Sequence, residues 1–310
     1  MYLVINSALI KQLAAAEGFS DCGIARAERL GEEEYPLDEW LEAGCQADMH
    51  YMERNAEMRR DPRLLVEGAR TVISLVVPYK PDRQMDGGLK ISQYAYSEDY
   101  HEMMKRRMYR LIVAIEEKYQ DFEARPFVDT APISDRHWAV HAGMGWIGRN
   151  TLFIHPRYGS MCYLGEIVTA AEFDHYDEPY QGKCCAECRR CVDACPNHAI
   201  TTSAVGMPML DARRCTSYNT IENRAESLPA DIDTRGYVFG CDICQNVCPF
   251  NIQAPSSFRL DDNSKANLES LPEADEKEFK SMSKHSALSR IKYFQLRRNV
   301  EHARKRYRFV

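Results

Sequence analysis

Long apolar runs are missing from this chain. The longest mostly apolar stretch, "TVISLVV" from Thr71 to Val77, falls far short of the roughly 20 residues a membrane-spanning helix needs. The opening "MYLVINSALIKQLAAAEGF" places no basic cluster ahead of its apolar residues. No signal peptide is therefore expected, no membrane partner, and a cytoplasmic location. Internal repeats and low-complexity tracts are absent too, which argues against solenoid and array architectures. What remains is ordinary: 310 residues, 45% hydrophobic and 28% charged, enough for a large core and more than one domain.

Charge is unevenly spread. From Lys284 to Val310 there are nine Lys or Arg against Glu301 alone, a net +8 that leaves −14 for the rest of a chain of net −6. Two readings fit such a tail: a solvated basic helix end, or an anion-binding surface suited to nucleic acid.

Cysteine is plentiful. Of 12, nine crowd into the 65 residues from Cys184 to Cys248. In a chain expected in the cytoplasm, that density reads as metal ligation rather than disulfides. "CAECRRCVDACPNHAI" (185–200) is a complete C-x2-C-x2-C-x3-C-P run. In two-cluster ferredoxins the first three thiolates of such a run hold one cubane and the fourth crosses to the other. Cluster one then takes Cys185, Cys188, Cys191 and the distant Cys248. "CDICQNVCP" (241–249) lacks a first cysteine. Cluster two takes Cys241, Cys244, the redirected Cys195, and Cys215, the unused cysteine between the motifs. Zinc ribbons also pair C-x2-C units, but they do not explain the cross-ligating run with its proline. Two [4Fe-4S] clusters are expected, a path for electrons whose acceptor the cysteines do not name. Cys184 adjoins Cys185, and the spacing to Cys188 selects Cys185.

The first half alternates helix and strand signals, predicting an α+β or α/β domain that ends near residue 175. Residues 7–17 predict a helix with Ala8, Leu9, Leu13 and Ala16 on one face. "YHEMMKRRMYRLIVAIEEKY" predicts a second helix, with Met104, Met108, Leu111, Ile112 and Ile115 facing the core. "DCGIARA", "TVISLVVPY", "ARPFVDTAP", "NTLFIHP" and "MCYLGEIVTA" read as strands, and "EFDHYDEPYQGK" (172–183) as a linker. "GMGWIG" (143–148) matches G-x-G-x-x-G, with Glu166 downstream. The dinucleotide fingerprint needs a strand before it and a helix after. Here "SDRHWAVHA", with Ser134 as a cap, predicts a helix before it, and a strand follows. The glycines are expected to permit close backbone approach instead. His101, His137, His141, His155 and His175 form no H-E-x-x-H, and no D-x-H-x-x-G corrinoid pattern occurs. Asp129, between an apolar strand and Pro132, reads as a turn residue; partly buried, it could instead hold a raised pKa and donate a proton.

Six blocks taken in order resemble the epoxyqueuosine reductase family: "ISQYAYSEDYH" (91–101), "VDTAPISDRHWAVHAGMGWIGRNTLFIHP" (128–156), "YLGEI" (163–167), the 185–200 run, "DARRCTSYNTIE" (211–222) and "YVFGCDICQNVCPFN" (237–251). The likeness covers nearly the whole chain and includes blocks without cysteine. It implies an α+β fold with three parts. A nitroreductase-like cobalamin-binding domain would span 1–175, a ferredoxin-like two-cluster domain 176–258, and a short basic helical segment 259–310. It further implies reduction of an epoxide on a modified tRNA base, with electrons passed through two [4Fe-4S] clusters to cobalamin and the oxygen lost as water. Asp129 would be the proton donor. Arg59, Ser92, Asp129, Phe153, Leu164, Thr216, Asp242 and Ile243 would line the cobalamin, and Asn223 would approach the tRNA. An unidentified electron donor is needed, and a monomer is expected. Two departures stand out: "CPNHAI" replaces the commoner "CPTGAI", and the chain stops short of the helical repeats of longer members. The basic segment is then the expected phosphate contact.

Overall fold

The computed structural model describes residues 4–33, 35–86, 88–182 and 184–307. Helices and strands are mixed throughout. The central sheet is antiparallel, with strands Asp21–Arg26, Thr71–Pro78, Cys162–Thr169 and Ala124–Phe127 in spatial order. Thr71–Val77 is buried along its whole length because helices cover both faces of the sheet. Ile73 and Leu75 pack under the long helix Tyr100–Glu116, whose Met104, Met108, Leu111, Ile112 and Ile115 face inward as the period predicts. Val72 and Val76 face the other way, into a core with Trp138 and Ala139 of the helix Asp135–His141.

Two expectations need correction. The helix Ser7–Ala16 turns Ile10 and Ala14 inward, and it leaves Ala8 and Ala16 exposed. Small alanines gain little from burial, so the bulkier Ile10 sets the rotation. The expected linker is, over residues 172–182, a strap; residue 183 lies outside the described residues. Glu172–Phe173 pairs in parallel with Val4–Ile5. Asp174 accepts from the Ser7 amide at 2.8 Å, and Asp177 from the Ile24 amide at 2.8 Å and the Lys11 ammonium at 2.5 Å. Its carboxylates look like solvent-facing composition in sequence, yet they serve helix and strand ends.

The glycine motif follows a helix and enters a hairpin, Trp146–Ile147 against Phe153–Ile154. Ser134 does not cap that helix through its side chain; its hydroxyl meets His137 Nδ1 at 2.7 Å instead. A Cβ on Gly145 would lie 2.1 Å from the Ile154 carbonyl oxygen, so the glycine exists for backbone approach. Gly145→Ala is expected to cost about 1–3 kcal/mol, the usual penalty of forced overpacking, read as a lowered thermal midpoint. An unchanged midpoint would show the hairpin yields freely.

A third core joins all three expected parts. Ile91 and Tyr96 pack with Val238 and Phe239 and with Leu288, Leu296 and Val300. Lys90–Ile91 also pairs in parallel with Tyr237–Phe239. The final helix, Tyr293–Arg306, is fastened from its buried side. Asn299 Nδ2 donates to the Thr220 and Val238 carbonyls, each at 2.8 Å. The Arg298 guanidinium donates to the Asn219, Asn223 and Ala225 carbonyls.

Candidate cluster-binding and active site

Short elements present the cysteines. Cys191 rides the helix Arg190–Ala194, and Cys195 ends it. Cys215 immediately precedes Thr216–Ile221, Cys244 sits in Ile243–Asn246, and Cys248 precedes Pro249–Gln253. Proline at the first position starts that last helix with φ already set, turning the chain directly after the thiol. The thiols fall into two electrostatic groups. Burial raises the Cys191 thiol, and the charges of Cys185 and Cys248 add to it; Cys248 in turn is raised by burial and then by Cys185 and Cys188. Burial raises Cys244, with Cys215, Cys191 and Cys195 adding, while Cys241 responds to Cys244 and Cys215, and Cys215 to Cys195. The first group is 185, 188, 191 and 248. The second is 195, 215, 241 and 244, and Cys191 feels its way across to it through Cys244. Cys184 is exposed. Thiolates crowded this way repel one another and call for a bound cation or cluster. Among the described residues no three His, Cys, Asp or Glu close tightly enough to hold a single ion. A cubane asks for less, since each thiolate caps a different iron.

Asp242 links the second group to the sheet domain. It is 1% exposed and accepts from the Ser92 hydroxyl, the Gln93 amide at 2.7 Å, and the side chains of Gln93 and Gln245 at 3.3 Å. Burial raises its pKa, and these bonds oppose the rise. Gln245 also accepts from Ser160 at 3.0 Å and Tyr79 at 3.3 Å. The helix bearing Cys244 is thus pinned to the sheet domain through polar side chains on both sides.

Asp129 follows the edge strand Ala124–Phe127. Its Oδ2 accepts from the Tyr100 hydroxyl at 2.7 Å and lies 3.5 Å from His101 Nε2. Desolvation pushes the carboxyl up, but His101 and Tyr100 prevail and hold it below its ordinary value, while its side chain stays 60% exposed. The expectation of a raised pKa is therefore overturned: an imidazole and a phenol point at the carboxylate, and both stabilise its charge. The raised group is its neighbour Asp135, pushed up to about 6 by burial and by the Asp129 charge. Tyr51 sits within electrostatic reach of Glu222, Arg290, Asp129 and Arg59, and Tyr94 within reach of Asp129, Asp242 and Glu222. Arg290 pairs with Glu222 at 2.8 Å and itself lies within electrostatic reach of Tyr51 and Asp129.

The other expected residues are placed as follows. Arg59 is buried, its guanidinium 5.9 Å from the Tyr51 ring centre and its Nε without a partner. Phe153 and Leu164 are buried in the core that also holds Trp138. Ile243 opens the helix after Asp242 and is half-buried. Thr216 turns inward, donating to the Asp233 carbonyl and accepting from Asn197. Asn223 is buried as well, its amide bonded to Asn219 and its oxygen to the Ala225 amide. No contact brings Thr216 or Asn223 to Asp129. An open groove of about 470 Å³ runs behind the Asp129 loop, lined by Met58, Leu65, Lys105, Arg125 and Thr130 among others; no expected site residue lines it. Sequence reading missed Tyr100, Asp99, Glu222 and Arg290. Asp99, Tyr100 and His101 stand together in "ISQYAYSEDYH", a block without any metal spacing to mark them.

Part of the basic tail is paired with acids and carbonyls elsewhere in the chain. Arg298 is buried, Arg290 pairs with Glu222 at 2.8 Å, and Arg304 pairs with Glu273 at the surface. Arg306 donates to the Ala230 and Ile232 carbonyls. The +8 of the sequence therefore overstates the field this face presents.

Nine cysteines crowded on short elements of a scaffold of mixed helices and strands, with a carboxylate held by a phenol and facing an imidazole, mark an iron–sulfur oxidoreductase. Residues 184–251 match the family described as 4Fe-4S double cluster binding domain, and residues 59–130 match Epoxyqueuosine reductase QueG, DUF1730. A curated epoxyqueuosine reductase from Cyclobacterium marinum is 38% identical over 302 residues, covering 95% of this chain and 96% of its own. The structure of epoxyqueuosine reductase from Streptococcus thermophilus superposes with a TM-score of 0.84 at 31% identity, over 96% of this chain and 81% of that one. An epoxyqueuosine reductase crystallised with a tRNA-Tyr epoxyqueuosine-modified stem loop superposes with a TM-score of 0.79 at 27% identity, over 96% and 80%. The chain belongs to the epoxyqueuosine reductase family. Among its described residues, no helix is long and apolar enough to cross a membrane.

Proposed function

We propose that this protein reduces epoxyqueuosine to queuosine in tRNA, in the cytoplasm and as a monomer, with electrons from a separate donor. The reaction removes the epoxide oxygen as water and leaves a carbon–carbon double bond; it consumes two electrons and two protons. The observation that carries this reading is the likeness to a curated epoxyqueuosine reductase, 38% identical over 95% of this chain, in a chain whose Asp129 carboxylate is held by the Tyr100 hydroxyl and faces His101. The relative crystallised on a modified tRNA stem loop supports the substrate class.

The thiols of Cys185, Cys188, Cys191 and Cys248 would hold one [4Fe-4S] cluster, and those of Cys195, Cys215, Cys241 and Cys244 the other. The residues also fit a cobalamin on a nitroreductase-like domain. Arg59 has an unpartnered buried Nε, suited to an amide or phosphate oxygen, and Phe153 and Leu164 offer apolar walls. Ser92, Thr216, Asp242 and Ile243 would complete the enclosure. When bound, the clusters supply electrons singly and cobalamin gathers them in pairs. Asp129 holds and delivers the proton that the departing oxygen takes up. Tyr100 orients Asp129 through its 2.7 Å bond. Asn223 would approach the tRNA, and Arg290 of the C-terminal segment lies within electrostatic reach of Asp129.

The test is anaerobic purification from cobalamin-supplied cells, metal analysis, and turnover of epoxyqueuosine tRNA followed by nucleoside mass spectrometry. About eight irons are expected from two cubane clusters, together with one cobalt and the appearance of queuosine. Iron without cobalt and without queuosine would leave an electron-transfer protein and end the reductase reading.

A further inference from the structure

Building on the reading of Asp129 as the proton donor, we propose that His101, clamped between Asp99 and Asp129, is the positioning residue that reloads Asp129 with its proton. A donor must carry a proton at each turnover, yet the groups around Asp129 favour its anion. The Tyr100 hydroxyl cannot be the source. It donates a hydrogen bond to Asp129, but burial beside that carboxylate makes it a far weaker acid than an ordinary phenol.

His101 has the geometry of a relay. Its own backbone amide donates to Asp99 Oδ1 at 2.9 Å, and its ring Nδ1 lies 2.8 Å from the same oxygen. Asp99 is also the cap of the helix Tyr100–Glu116, so the clamp is set by the first turn of a long helix. With Nδ1 committed to Asp99, Nε2 is left facing Asp129 Oδ2 at 3.5 Å, buried and with no closer partner. The ring cannot swing away. It stacks on Tyr100 at 4.0 Å, and Tyr100 stacks on Tyr163 at 4.8 Å with the planes 2° apart.

The charged surroundings all bear on the same proton. Asp99 and Asp129 both favour the imidazolium, and His101 is held above its ordinary pKa despite the opposing effect of burial. From the helix Asp135–His141, Asp135 faces Asp129 as a like charge and Arg136 as an opposite one. From the sheet, Tyr163 is neutral. From the C-terminal segment, His285 pairs with Glu102 and accepts the Asp99 amide through its carbonyl at 2.7 Å. In the step itself the Nε2–H bond of the imidazolium breaks and an O–H bond forms on Asp129. Asp129 passes that proton to the epoxide oxygen, and neutral His101 regains one from solvent. No electron moves in this exchange.

The holoenzyme carrying His101→Gln, and separately Asp99→Asn, tests this by single-turnover reduction of epoxyqueuosine tRNA across pH 5 to 9 (roughly the window around an ordinary imidazole). The expected loss for His101→Gln is about ten- to hundredfold at neutral pH, a fraction of the usual acid–base contribution. It should shrink steadily toward acid, where solvent protonates Asp129 directly. Asp99→Asn should shift the fall in rate to lower pH, because the imidazolium loses one of its two anions. Iron content and tRNA affinity stay at wild-type values in both. A loss that is equal at every pH, or a profile unmoved in the soluble variant, overturns the relay. Were Asp129→Asn as active as wild type, the donor reading beneath it would fall first. A shifted profile in Asp99→Asn supports the relay even where His101→Gln does not fold.

Discussion

Cys244→Ser should halve the iron of the purified protein, from about eight to about four per chain, and abolish turnover. The halving follows from the two thiol groups. Cys244 interacts with Cys215, with Cys191 across the partition, and with Cys195, whereas Cys191 answers to Cys185 and Cys248, and Cys248 to Cys185 and Cys188. Serine is isosteric, but its alkoxide is far harder to form than a thiolate and a poorer ligand for a soft iron–sulfur core. The surrounding helix should survive, because Asp242 and Gln245 hold it to Ser92, Gln93 and Ser160. Cys184→Ser is the control. Cys184 is exposed and should be silent in both iron and turnover. Iron and sulfide analysis decides the matter. Full iron in Cys244→Ser, or complete loss, would mean that the cysteines are not partitioned as proposed. Loss in Cys184→Ser would mean that the first motif binds one residue upstream.

The proposed cysteine partition comes from sequence because ligand spacing is local and covalent. Three thiolates two residues apart reach one cubane whatever the fold around them, and the redirected fourth follows from the same spacing. The helix Tyr100–Glu116 was equally legible, its large apolar residues recurring at one angle. The helix Ser7–Ala16 was legible in extent but not in rotation, because alanine suits either face and the bulkier Ile10 turns inward. The cleft was the least legible part. Its members come from four places: Asp129 after an edge strand, Tyr100 and His101 at a helix start, Glu222 beyond Cys215, and Arg290 near the end of the chain. No spacing rule joins them. Resemblance named Asp129, but it did not show that its carboxyl is held low, since that depends on Tyr100 and His101 closing around it. Net charge misled for a related reason. A count of Lys and Arg is blind to Arg298, which the fold consumes in three carbonyl bonds.

Asp129→Asn is expected to lower the single-turnover rate by about 10²–10⁴, the range for loss of a positioned acid, while leaving iron content and tRNA affinity intact. Asparagine keeps the bond from the Tyr100 hydroxyl, so the loop geometry should persist; what disappears is the transferable proton. The substitution should also leave a signature in stability. Asp129 is held low, so its contribution is present above the unfolded carboxylate value near about 3.9 and fades as pH falls. His101 is held high, so its contribution is present below the unfolded imidazole value near about 6.5 and is lost as pH rises through the folded one. The pair therefore stabilises most between roughly pH 4 and 6.5. The gap in thermal midpoint between wild type and Asp129→Asn should be widest there and narrow toward pH 8. Asp135 supplies a second check. The Asp129 charge helps push its carboxyl to about 6, so in the variant it should titrate lower. A variant that keeps its rate removes Asp129 from the chemistry. One that loses rate with a pH-independent stability gap retains the donor but uncouples it from His101. Loss of rate together with a gap confined to mildly acid pH is the outcome that ties the imidazole, the carboxylate and the departing oxygen into one proton path.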